Sequence, residues 1–356
     1  MTSKERYIAA AELKPPDRVP VELRFAPELE IRLRRDLGLN EEAFWEWIGR
    51  DAVTVRPVYK KPADVIKYAD PTIRVENDLY YDIYNVPFRM TDNGNQKYLE
   101  PAGIPPLPGE ITTEDIEAFP WPLTADWDYS GIGKGCDAVK DKAAWCRTRG
   151  CFLTAMFIRG EEQFLTDMLT DSELAESLLD KISRFIVEDA EKSLEAAAGK
   201  YVFVEYNDDV ATQRGMMISP DLWRKMLKPR LADFCRMVKK YGAKLRLHSC
   251  GSIYPIIPDL IDIGVDILNP IQALAADMDP FKIKADFGRH ICLHGGLDIQ
   301  ELLPRGTVKE VKEQVKRLLE MGEKGGYILA GTHTLQADIP TANIVAIVDA
   351  MREVFQ

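Results

Sequence analysis

The chain has 356 residues, 46% hydrophobic and 29% charged, with a formal net charge of −11 at pH 7. That balance supplies ample material for a globular core, and its acidity argues against nucleic acid or an anionic membrane as a main partner. No apolar run approaches the ~20 residues of a membrane span, residues 1–16 lack the apolar stretch of a signal peptide, and six scattered cysteines read as reduced thiols, so a cytoplasmic location is expected.

No internal repeat, low-complexity tract or linker divides the sequence, and the length suits one large α/β barrel. The expected organisation is therefore a single domain over residues 1–356 with an N-terminal extension. The proline-rich stretch near 101–122 is read as a surface excursion from it.

From about residue 150 the pattern becomes regular. Residues 151–158 form an apolar run read as a strand ending at Arg159-Gly160, followed by a long amphipathic helix from Asp171 to about Ala198. Residues 201–207 alternate as a strand, with Glu205 and Asn207 on one side. Ser219-Pro220 has the chemistry of a helix start, and Pro229 should kink or split that helix. Residues 243–250 alternate strictly between apolar and polar, which is the period of a strand. Lys244, Arg246, His248 and Cys250 then share a face. Short strands follow at 265–269, 291–294 and 327–330. A capping box at Thr307-Val308-Lys309-Glu310 opens a helix between the last two, and a helix over 341–355 closes the chain.

Strands alternating with helices give parallel pairing and right-handed crossovers. An open parallel sheet buried on both faces would read as near-continuous Val, Ile and Leu. Here Glu205, Lys244, Arg246 and His248 occupy strand faces, which fits a closed (β/α)8 barrel with a polar lumen. In such barrels function sits at the C-terminal strand ends, where Asn207, Asp209, His248, Cys250, His294 and His333 all fall.

His248 and Cys250, side by side at a strand end, are two legs of a tetrahedral zinc site, and His333 in the Gly331-Thr332-His333 turn is the best third. Cys292 and His294 compete for the same role from another strand. Asp209, at the rim, is a carboxylate for proton or substrate work, and Arg159 could hold an anion. Glu205 is expected to neutralise Lys244 or Arg246, because buried charges are paired. Asp208 is read as a capping or turn residue.

Several segments together resemble the uroporphyrinogen decarboxylase superfamily over nearly the whole chain. They are Arg18-Val19-Pro20-Val21, Asn207 through Gln213, Ile218-Ser219-Pro220, His294-Gly295-Gly296-Leu297-Asp298, and Gly331-Thr332-His333 through Pro340 and Asn343-Ile344-Val345. The resemblance implies a distorted (β/α)8 barrel. The decarboxylases of that superfamily carry an Arg-Gln-Ala-Gly-Arg string after the first strand, where this chain has Glu22-Leu23-Arg24-Phe25-Ala26-Pro27. Its corrinoid-linked methyltransferases carry His-x-Cys and a distant Cys as zinc ligands. His248-Ser249-Cys250 matches the first half, and His333 stands where the distant Cys is expected.

The resemblance therefore implies a zinc-dependent enzyme that moves a methyl group from a small methylated donor, such as an O-methyl aromatic, to a corrinoid (cobalamin) on a partner protein. His248, Cys250 and His333 would hold zinc, Asp209 and Gln213 would act in catalysis, and Arg24, Arg159, Asn207 and His294 would bind substrate. The alternative is a metal-independent decarboxylase, with Arg24 and Arg159 binding carboxylates and Asp209 stabilising a protonated ring. A third reading is a family member that binds a ligand without catalysis.

Overall fold

A computed structural model describes residues 1–60, 74–92 and 97–355. Its frame is a parallel sheet of β1 (Ala52–Thr54), β2 (Ala143–Arg149), β3 (Phe203–Asn207), β4 (Lys244–His248), β5 (Ile267–Ile271), β6 (Cys292–Leu297) and β7 (Tyr327–Gly331), paired in that order. Residues 20–22 close the ring. Val21 bridges to Leu329 of β7, the Glu22 N–H donates to the Leu329 carbonyl, and the Asp51 N–H beside β1 donates to the Val21 carbonyl, both at 2.9 Å. Pro20 has no N–H to give to a ladder, which keeps this eighth element to a single bridge. The result is a distorted (β/α)8 barrel.

The helices obey the local rules. Thr307 and Glu310 form a reciprocal capping box on Val308–Gly322, and the Ser219 side chain accepts from the Leu222 N–H. The chain around Pro229 is split into Pro220–Met226 and Lys228–Lys240, with the proline in the first turn of the second helix, the position where its missing N–H does no harm. Between β1 and β2 lies a small antiparallel sheet of Arg74–Glu76, Leu79–Tyr81, Pro87–Asp92 and Lys97–Pro101, which the sequence pattern does not reveal.

One expectation is corrected. Residues expected as the strand 151–158 form the helix Cys151–Arg159, and the barrel strand is Ala143–Arg149 just before it. The helix is buried on most sides, with Phe152, Ala155 and Ile158 fully inside, so the run shows no amphipathic period to separate helix from strand. Its N-terminus is capped from β3 side: Asp208 accepts from the Phe152 N–H at 3.2 Å and the Leu153 N–H at 2.7 Å. A Cβ at Gly150 would lie 2.1 Å from the Asp208 side chain, so only glycine allows that approach.

Inside the barrel the side chains form layers. At the N-terminal end, Tyr7 of the helix Ser3–Ala11 stacks on Phe203 at 5.0 Å, and Phe203 stacks on Trp145 at 5.2 Å. Above them lies a layer of ions. Arg246 donates to Glu22 at 2.6 Å and pairs with Glu205 at 2.7 Å, while Arg24 bridges both carboxylates at 3.0 Å. Lys244 is not part of this layer; it reaches Glu12 at 3.3 Å near the barrel floor. Aromatic floor and ion layer together seal the lumen, so the site must open toward the C-terminal strand ends. Among the described residues, no helix is long and apolar enough to cross a membrane.

Candidate active site

The C-terminal mouth holds a cleft of about 480 Å³, open space at the mouth included, whose lining includes Glu22, Arg24, Arg147, Asn207, His248, Asn269, His294 and His333. β4 delivers His248 as its last residue, and the chain turns at once, which leaves Cys250 at the rim. Gly251 makes that turn possible: its φ is +88°, and a Cβ there would meet the Thr212 carbonyl at 2.5 Å. The Cys250 N–H donates to Asp209 Oδ1 at 2.7 Å, and the Gly251 N–H donates to Gln272 Oε1 at 2.7 Å, so the turn is tied down from two neighbouring loops.

The ligand atoms of His248, Cys250 and His333 all lie within 4.8 Å of one another, and Cys250 Sγ is 3.5 Å from His248 Nε2. A tetrahedral zinc with ordinary Zn–N and Zn–S lengths separates such a pair by about 3.6 Å. The donor set therefore fits zinc, and three protein ligands leave one coordination position open, as catalytic sites do. Burial and the adjacent Asp209 push the Cys250 thiol well above the usual thiol range, so a metal must displace its proton on binding.

Sequence reasoning missed the residues that orient this trio. His248 Nδ1–H donates to Asn269 Oδ1 at 2.5 Å, which turns Nε2 toward Cys250. The Asn269 amide N–H in turn donates to His294 Nδ1, and His294 Nε2 faces Glu22 Oε2 at 3.3 Å. A chain of polar contacts thus runs from the candidate metal ligands through Asn269 and His294 to the ion layer. Burial lowers the His248 pKa and takes that of His294 to about 4, which keeps both rings neutral and His248 Nε2 available as a ligand. Outer contacts of this kind are worth roughly 10- to 100-fold in metal affinity. Asn269→Ala is therefore expected to weaken zinc binding by a factor in that range, measured by competition with a chromophoric chelator. An unchanged affinity would remove Asn269 from the site.

The other expected site residues divide. Asn207 and His294 line the cleft, and so does Arg24, although its guanidinium is engaged by Glu22 and Glu205. Asp209 lies beside the trio, 3.8 Å from His248 Nε2. Gln213 is outside the cleft lining. It is exposed on the turn between Ala211–Thr212 and Gly215–Met216 and donates to Gln272 at 2.6 Å, so it braces the residue that holds Gly251. Arg159 is a correction. It ends a helix instead of a strand, is 2% exposed, and donates to Asp167 at 2.7 Å and to the carbonyls of Leu107 and Gly109. It clamps the proline-rich excursion to the barrel and has no free donor fork for substrate. The rival ligand Cys292 lies in the floor cluster with Tyr7 and Phe203, away from the mouth, and burial pushes its thiol up to about 12.

Residues 144–354 match the uroporphyrinogen decarboxylase (URO-D) family. The chain belongs to that family. Within it, this URO-D family protein is 24% identical over 203 residues to the methylated-thiol–coenzyme M methyltransferase of Methanosarcina mazei, which covers 57% of this chain and 51% of the relative. It is 26% identical over 194 residues to a methylcobamide:CoM methyltransferase of Methanosarcina barkeri, covering 54% of this chain and 53% of the relative. The chain thus spans about half the length of the curated relatives it matches. A solved methyltransferase from Methanosarcina mazei shares the fold over 100% of both chains, with a TM-score of 0.71 and 22% identity.

Proposed function

We propose that this URO-D family protein is a zinc-dependent methyltransferase that moves a methyl group from a small methylated donor, such as an O-methyl aromatic, to the cobalt of a corrinoid carried by a separate protein in the cytoplasm. The observation that carries the reading is the convergence of His248, Cys250 and His333 at the open end of a barrel whose relatives are methyltransferases. Zinc supplies Lewis acidity, which makes a bound heteroatom a better leaving group as its methyl departs. His248, Cys250 and His333 hold the metal, with Asn269 fixing the His248 tautomer. Asp209, close to the same atoms, takes or holds a proton at the departing heteroatom. The sealed floor of the lumen confines donor and corrinoid partner to the mouth.

The decarboxylase alternative is not favoured, because its carboxylate-binding residues are engaged elsewhere: Arg24 by Glu22 and Glu205, and Arg159 by Asp167 and backbone carbonyls.

Elemental analysis tests the reading directly, with about one zinc per chain expected for protein purified without chelator. A wild-type protein free of transition metal ends it. The role of His333 has a sharper test. His333→Cys is expected to keep zinc, since a thiolate there matches the ligand type of the corrinoid-linked relatives, whereas His333→Ala should weaken binding sharply. Equal zinc content in all three proteins removes His333 from the ligand set.

A further inference from the structure

We infer that the cleft contains a carboxylate-binding subsite built on Arg147 and Asn207, so that the substrate is a small molecule with a planar anionic group at one end and the reacting methyl group at the other.

The charges of the lumen lead to this assignment. Glu22 and Glu205 are matched by Arg24 and Arg246, two of each sign, so the ion layer is neutral. The ring of His294 is uncharged at neutral pH, with its pKa near 4 through burial. Asp209 is outside the cleft lining, its Oδ1 accepting from the Cys250 N–H. What remains in the cleft wall is the guanidinium of Arg147.

Arg147 follows Trp145 by two residues on β2, so the strand period turns both into the barrel, and it sits in register with Glu205 of β3. Glu205 feels its charge but does not pair with it: the ion pairs of that carboxylate, both at Oε2, go to Arg24 at 3.0 Å and Arg246 at 2.7 Å. Among the described residues, no carboxylate lies within ion-pair distance of Arg147, and the side-chain amide of Asn207 on the neighbouring strand has no hydrogen-bond partner either.

A half-buried cation without a partner is costly, and a guanidinium fork matches the two oxygens of a carboxylate. Asn207 can add a third donor to the same group. Arg147, His248 and His333 line one cleft, so a molecule anchored on Arg147 extends its other end toward the two histidines of the candidate metal site.

The choice of probes rests on the proposed methyl transfer. 3-Methoxybenzoate and its neutral amide, 3-methoxybenzamide, are titrated into the zinc-loaded full chain by calorimetry. The acid is expected to bind roughly 10- to 100-fold tighter than the amide, the range for a hydrogen-bonded charge. Arg147→Ala should erase that preference with unchanged zinc content and unchanged denaturation midpoint, and Arg147→Lys should keep part of it. Equal binding of the two probes, no binding of either, or a preference that survives in Arg147→Ala overturns the subsite. So does a loss of stability in Arg147→Ala as large as that of Glu205→Ala, which would make Arg147 a partner of Glu205. Methyl transfer to a Co(I) corrinoid is assayed separately. A preference without transfer keeps the subsite and sinks the methyltransferase reading, and transfer without a preference does the reverse.

Discussion

Glu205→Ala is expected to destabilise the fold by ~3 kcal/mol or more, because removing one member of a buried ion cluster leaves its partners charged and unpaired. Glu205 is fully buried, and its Oε2 faces both Arg24 and Arg246. Arg246 is itself completely inside the barrel, between Glu205, Glu22 and the faces of Phe203 and Trp145. Burial alone would raise the Glu205 pKa; the two guanidiniums overcome that and hold it well below the carboxylate range. A carboxylate with a depressed folded-state pKa contributes stability above its unfolded value of ~4.3, and that contribution is lost as pH falls through the folded value. The Glu205→Ala deficit, read from urea denaturation, should therefore be fully present at neutral pH and shrink only in strong acid. A variant of wild-type stability without activity would move Glu205 from the framework into the chemistry.

The second large effect concerns Cys250. Cys250→Ser should lower zinc affinity by more than the roughly 10- to 100-fold typical of changes outside the ligand shell, because it removes the only thiolate of the trio. The fold should survive, since the turn is held by the backbone N–H groups of Cys250 and Gly251, donating to Asp209 and Gln272. Chelator competition reads the affinity and circular dichroism the fold. If Cys250→Ser holds zinc as tightly as wild type, the metal lies elsewhere.

The contrast between these residues shows how far the sequence reaches. Features that depend on near neighbours in the chain are legible in it. Alternation up to His248 puts that residue on the same strand face as Lys244 and Arg246, Thr307 and Glu310 cap their helix, and Pro229 divides another, because each rests on contacts within one turn or one strand. The polar lumen is legible for the same reason: charged residues recur at period two on Glu205, Lys244 and Arg246, and only a closed barrel makes a place for them.

What the tertiary structure alone decided is which residues from different elements meet. Lys244 and Arg246 share a strand face, yet one reaches Glu12 at the floor and the other Glu22 and Glu205 in the ion layer, a division set by their height in the barrel. The apolar run at 151–158 is helical because it is enclosed by other helices and capped by Asp208, which comes from more than fifty positions away. Arg159 loses its expected role with it. Asn269, Glu22 and Arg147 carry no local signature, being single polar residues in ordinary stretches. They acquire their roles because closing the sheet through residues 20–22 brings strand ends far apart in the chain to one mouth, and a polar group inside a barrel must find its partner across the lumen.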